Sequence, residues 1–187
     1  MPSYDDALAL FEEWTLTSSL RQHAFAVEAA MEFYAQKFGE DVELWRITGL
    51  LHDMDYEKHQ TLDEHPFVGV KVLRELGYPE EVCDAILGHA NHTGHPRTSL
   101  MAKTLFAVDE LAGFITAVGY VRPTGLGGMK PKSVTKKMKA RAFAAAVSRD
   151  DIRNGAEDLG IELADHIANV IAGMQANATR LGFSASE

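Results

Sequence analysis

The 187-residue chain is 46% apolar and 24% charged, and its 27 acidic against 18 basic side chains give a formal net charge of −9. That length suits one domain with a sizeable core, and the acidic balance argues against a protein whose affinity comes from neutralising nucleic-acid phosphates. No apolar run reaches the length of a bilayer span, and the opening MPSYDDALALFEEW is acidic and amphipathic rather than signal-like. The single cysteine, Cys83, has no internal disulfide partner and reads as a small core residue, so a soluble cytoplasmic protein is expected.

Helical periodicity runs through almost the whole chain. Residues 4–14 make a short amphipathic opening helix. From Ser18 to Phe38 the apolar positions Leu20, Val27, Met31, Tyr34 and Phe38 recur at three or four, with Gly39 as the stop. Asp41 caps a helix running to about Asp53, and the polar stretch MDYEKHQTLDE (54–64) reads as a loop. Pro66 opens a helix closing near Gly77, and Pro79 another running to about Ala90. NHTGHPR is a loop and 98–119 a long helix. After the Gly- and Pro-rich VRPTGLGGMKPKS, helices are predicted near 133–147, 149–158 and 160–180. Strand alternation is absent, so the predicted fold is all-α.

Four acid or imidazole groups fall where a helix should bury something. His23 lies three residues after Leu20 and four before Val27. His52 and Asp53 end the apolar LWRITGLLHD, where Gly49 leaves room for close approach. Asp109 follows Leu105 by four and precedes Ala112 by three. A buried carboxylate without a partner is costly, and a divalent cation would satisfy both aspartates at once. Imidazole and carboxylate ligands without thiolate suit Fe, Mn, Co, Ni or Zn in an open site.

This order of His, then His-Asp, then Asp, on separate helices, resembles the HD superfamily of metal-dependent phosphohydrolases over roughly residues 18–119. The resemblance implies an HD-type helical bundle spanning 1–187 as one domain, with 120–187 as a C-terminal helical extension. It also implies that His23, His52, Asp53 and Asp109 hold one metal. His65, opening DEHPFVGVKVLRELG, and His89, on the apolar face of DAILGHANHTG, occupy intervals where HD proteins with binuclear sites carry histidines. By that resemblance Asp53, His65 and His89 hold a second metal, with His92 a further candidate, and Asp53, shared by both ions, is the residue on which catalysis turns. His59, His95 and His166 stand in polar, surface-like contexts, and Asp55 and Glu57 read as solvated loop carboxylates.

The implied activity is hydrolysis of a nucleotide or other small phosphate ester by metal-activated water. KPKSVTKKMKAR (130–141) holds six basic residues and no acidic one. Arg122, Lys130, Lys132, Lys136 and Lys137 are candidates to clamp substrate phosphates, against the alternative of a solvated helix face. The tract VRPTGLGGMKPKSVTKKMKARAFAAAVSR resembles a bacterial subgroup of predicted HD hydrolases. Two other functions share the pattern. Some HD-fold di-iron oxygenases use the same ligand set, and a regulatory ligand-binding module would be favoured by a broken set.

Overall fold

Local signals fix where the helices begin. Ser3, Asp41, Ser99 and Ser148 each accept, through a side-chain oxygen, the backbone N–H three residues on, which satisfies one of the donors a helix start leaves free. The computed structural model describes residues 1–183, in which the helices are α1 (Tyr4–Trp14), α2 (Ser18–Phe38), α3 (Val42–Leu51), α4 (Phe67–Glu75), α5 (Glu80–His89), α6 (Leu100–Tyr120), α7 (Pro131–Met138), α8 (Arg149–Asp158) and α9 (Leu163–Ala176). The described residues contain no strand, so the all-α expectation holds.

The long central helices and α8 fall where periodicity puts them. The predicted helix over 133–147 does not: α7 ends at Met138 and the alanine-rich segment after it runs as turns. Alanine propensity is a weak preference, and here tertiary contacts override it. The Arg149 guanidinium donates to the carbonyls of Phe143, Ala144 and Val147, and Ala144 adopts φ +43°, which a helix cannot contain. The helix predicted over 160–180 is likewise shorter, Leu163–Ala176.

Apolar side chains from Ala7 to Phe183 join in one buried cluster. The central helix is α2, which packs on α3, α6 and α9. Its approach to α3 is close because Gly49 has no side chain: a Cβ there would lie 2.9 Å from Glu28 Cα. A Cβ on Gly155 would lie 2.5 Å from Ala107 Cα, so α8 sits directly against α6.

His166, expected at the surface, is fully buried. Its Nε2–H donates to the Ala107 carbonyl at 2.9 Å, and Nδ1 accepts the Tyr34 hydroxyl at 2.6 Å. Burial holds this imidazole below its ordinary pKa, so it is neutral and ties α9 to α2 and α6. His166→Leu strands the Tyr34 hydroxyl in the core, an expected loss of about 1–3 kcal/mol, or roughly 2–12 °C in Tm for a chain of this size. Adding Tyr34→Phe removes the stranded donor and should recover part of that loss. Full additivity of the two substitutions in thermal unfolding would show that the pair does not act together.

Candidate metal centre

Five elements converge on one cavity. α2 contributes His23, and α6 contributes Asp109, whose Oδ1 lies 2.9 Å from His23 Nε2. His52 and Asp53 follow the last residue of α3. His52 is fully buried, and its Nδ1–H donates to the Gly49 carbonyl at 2.8 Å. That bond fixes the tautomer, leaving Nε2 as a bare lone pair. Nε2 faces Asp53 Oδ2 at 3.4 Å and Asp109 Oδ1 at 3.5 Å, and has no hydrogen-bond partner.

Asp53 Oδ1 points the other way, 3.3 Å from His65 Nε2 and 3.2 Å from His89 Nε2. His89, the last residue of α5, is oriented as His52 is: its Nδ1 bonds the Ile86 carbonyl three residues back. His65 ends the turn before α4, and its Nδ1–H donates to Asp55 Oδ1 at 2.7 Å. Asp55 is therefore not the solvated loop carboxylate its sequence context suggests. It is buried, and its other oxygen accepts the Gly69 N–H at 2.7 Å. Glu57 caps the start of α2 by accepting the Leu16 and Thr17 N–H groups and the Thr17 hydroxyl.

The result is two triads, His23–His52–Asp109 and Asp53–His65–His89, in each of which the ligand atoms lie within 4.8 Å of one another. The residues suit divalent ions. Lone pairs and carboxylate oxygens converge without a cation, an arrangement that is repulsive unless positive charge sits between them. Burial works against a charged His52 imidazole, yet Asp53 and Asp109 raise its basicity well above the ordinary value. Burial likewise works against ionised Asp53 and Asp109, yet the imidazoles around them hold both well below the usual carboxylate range. The pocket demands positive charge, and a divalent ion supplies it without protonating the ligands.

The structure brings six of the seven expected metal ligands together. His92 stands outside both triads, with Nε2 2.8 Å from the His65 carbonyl. His59 and His95 lie 3.1 and 3.0 Å from the carboxylates of Glu64 and Asp84.

The cavity in front of the triads has a volume of about 580 Å³. Tyr56, Leu62, Phe106 and Val147 give its wall apolar surface, and Asn91, Glu110 and Asp151 give it polar groups. Burial pushes the Glu110 carboxyl up to about 7, assisted by the neighbouring Asp109 and Asp151 charges. Asp151 escaped sequence reading because it lies in a helix rich in charge; Glu110 stands in an otherwise apolar helix, and that it directly follows a ligand was the available signal.

The expected phosphate clamp is not built. None of Arg122, Lys130, Lys132, Lys136 and Lys137 lines the cavity. Arg122 is spent on its own loop, donating to the Gly125 and Gly127 carbonyls, Thr124 and Ser133. Lys137 lies over the Phe143 ring, 4.7 Å from its centre. Lys130, Lys132 and Lys136 are exposed, because α7 turns Val134 and Met138 into the core instead.

A family model described as HD domain matches residues 20–113. Ribonuclease Y of Aquifex aeolicus is 28% identical over 143 residues, covering 74% of this chain and 25% of the relative. Ribonuclease Y of Nitratidesulfovibrio vulgaris is 25% identical over 100 residues, 53% of this chain and 19% of the relative. An uncharacterized protein of Methanocaldococcus jannaschii is 40% identical over 58 residues, 31% of this chain and 34% of that protein. The chain thus spans a fifth to a quarter of the length of these ribonuclease Y relatives.

Proposed function

The chain belongs to the HD domain family, within the metal-dependent phosphohydrolase superfamily, and we propose that it is a binuclear phosphohydrolase acting on a small phosphate ester. The observation that supports this most is the pair of triads sharing Asp53, with His52 Nε2 buried and unpartnered between two carboxylates. Divalent ions held there would make a water nucleophile accessible at neutral pH and neutralise charge developing on a phosphoryl oxygen.

The protein's own residues do the positioning. His52 and His89 are locked in one tautomer by backbone carbonyls and His65 by Asp55, so each presents a lone pair to the cavity. Asp53 directs one oxygen to each triad, so this one carboxylate would serve both ions. Tyr56, Phe106 and Val147 on the cavity wall offer apolar surface to the organic part of the ester. Water adds to phosphorus, the ester P–O bond breaks, and the leaving alcohol takes up a proton.

The name ribonuclease Y describes RNA cleavage in those relatives and supports P–O hydrolysis here. A nucleic-acid polymer is not proposed as substrate, because the cavity wall carries no Lys or Arg to track a phosphate backbone. No helix among the described residues is long and apolar enough to cross a membrane. We place the protein in the cytosol, with support from Cys83: it is buried, and burial pushes its thiol up to about 11, leaving it unreactive.

One observation favours a second reading. With no cation on the cavity wall, phosphate preference rests on the ions alone, and a di-iron oxygenase would use the same six ligands. Metal analysis of aerobically and anaerobically purified protein, then a phosphate-release screen with Fe, Mn, Co, Ni and Zn, separates the two. Metal-dependent phosphate release that a chelator abolishes is expected. In the same assay Lys136→Gln with Lys137→Gln should leave KM within about twofold, as solvated charges do. Oxygen uptake with no phosphate release under any metal would reject the hydrolase.

A further inference from the structure

The charge around the cavity is unusual for a site receiving an anion. Among the described residues no Lys or Arg lines it, while Glu110 and Asp151 do. Each carboxylate is anchored through one oxygen: Glu110 Oε2 accepts the Ser148 N–H at 3.1 Å, and Asp151 Oδ1 accepts from Asn91 Nδ2 at 3.2 Å. Neither forms an ion pair with a described residue, and each keeps its second oxygen without a described donor. Asp53 and Asp109 line the same cavity, and His52 Nε2, fully buried and unpartnered, is aimed between them.

The cavity is therefore bipolar. Two divalent ions held by the Asp53 and Asp109 carboxylates would leave two positive charges at the triads, and Glu110 and Asp151 set two carboxyl groups elsewhere on the same wall. A polyanion would satisfy the first and be repelled by the second. A molecule with a phosphate at one end and an amine at the other satisfies both. Outside the two triads, Glu110 and Asp151 are the carboxyl groups on the wall, and so the strongest acceptors there for an ammonium.

We propose that Glu110 and Asp151 are specificity-determining residues that select a zwitterionic substrate, a short aminoalkyl phosphate whose ammonium donates to their free oxygens while its phosphate meets the ions. The proposal rests on the hydrolase reading for what happens to the phosphate, and on the wall alone for the amine. It predicts that phosphoethanolamine is preferred over ethyl phosphate in kcat/KM by roughly tenfold to a hundredfold, the range for one charge-assisted hydrogen bond.

Binding is read separately with two probes that have no ester bond. In calorimetry with metal-loaded protein, 3-aminopropylphosphonate should bind more tightly than propylphosphonate by a similar factor. In Glu110→Gln and Asp151→Asn, which keep the shape and the anchoring contacts, that ratio should fall toward one. Metal content should stay unchanged, and propylphosphonate affinity should not fall. Equal binding of the two phosphonates, or a ratio that survives both substitutions, overturns the inference and leaves the hydrolase reading standing. A strong amine preference in binding with no phosphate released from any ester supports the inference and rejects the hydrolase. Failure of both phosphonates to bind rejects both.

Discussion

Asp53→Ala is expected to release the second ion entirely, weaken the first, and abolish phosphate release. The second triad is reduced to His65 and His89, two imidazoles without a carboxylate. The first keeps His23, His52 and Asp109 but loses the nearby Asp53 Oδ2, 3.4 Å from His52 Nε2. Activation of water and neutralisation of phosphoryl charge by bound ions contribute several kcal/mol, so the rate should fall by roughly a thousandfold or more. Asp53→Asn is the sharper variant. It keeps the volume and removes the charge, and an amide offers only one oxygen where the carboxylate offers one to each triad. Metal content by mass spectrometry and phosphate release should fall together in both variants. Full metal occupancy in Asp53→Ala would remove the residue from the centre.

The inner ligands were legible because they break a pattern. His23 and Asp109 sit on stripes that are otherwise apolar, and His52–Asp53 terminates a helix with little other polarity. A polar group on a buried stripe needs a reason, and the order of the four supplied one. His166 obeyed the same rule and was missed: it shares the buried face of α9 with Val170, Gly173 and Met174, but Asp165 directly before it and Glu162 and Asn169 nearby give ELADHIANV a polar look. Asp55 carried no such signal. It lies in a loop without periodicity, and its second partner, the Gly69 N–H, is fourteen residues away. The basic tract misled for a different reason. Composition records that the charges exist, whereas packing decides where they point. α7 spends its apolar side on the core and presents its lysines to solvent or, for Lys137, to the Phe143 ring.

Loss of Asp55 should empty one metal position and spare the other. Asp55 touches no other ligand of the centre; it acts through His65, whose Nδ1–H it holds at 2.7 Å while the Gly69 N–H fixes its second oxygen. Without it His65 is free to rotate and to place its proton on Nε2, the atom that faces Asp53 Oδ1 at 3.3 Å, and a protonated nitrogen cannot bind a cation. Removing such an orienting partner weakens metal binding by roughly 10–100-fold. In Asp55→Ala the metal content should therefore fall from about two ions per chain to about one under moderate chelation, as in His65→Ala. Asp55→Asn separates orientation from bulk. Its single oxygen can serve His65 or Gly69 but not both, and its amide nitrogen then faces a donor, so it too should lose the second ion while filling the same space. Because Asp55 and His65 act as one unit, the double substitution should cost little more metal affinity than either alone. A merely structural Asp55 would lower Tm in Asp55→Ala and Asp55→Asn with two ions retained. Anomalous scattering that showed both positions filled in Asp55→Asn would assign that structural role instead.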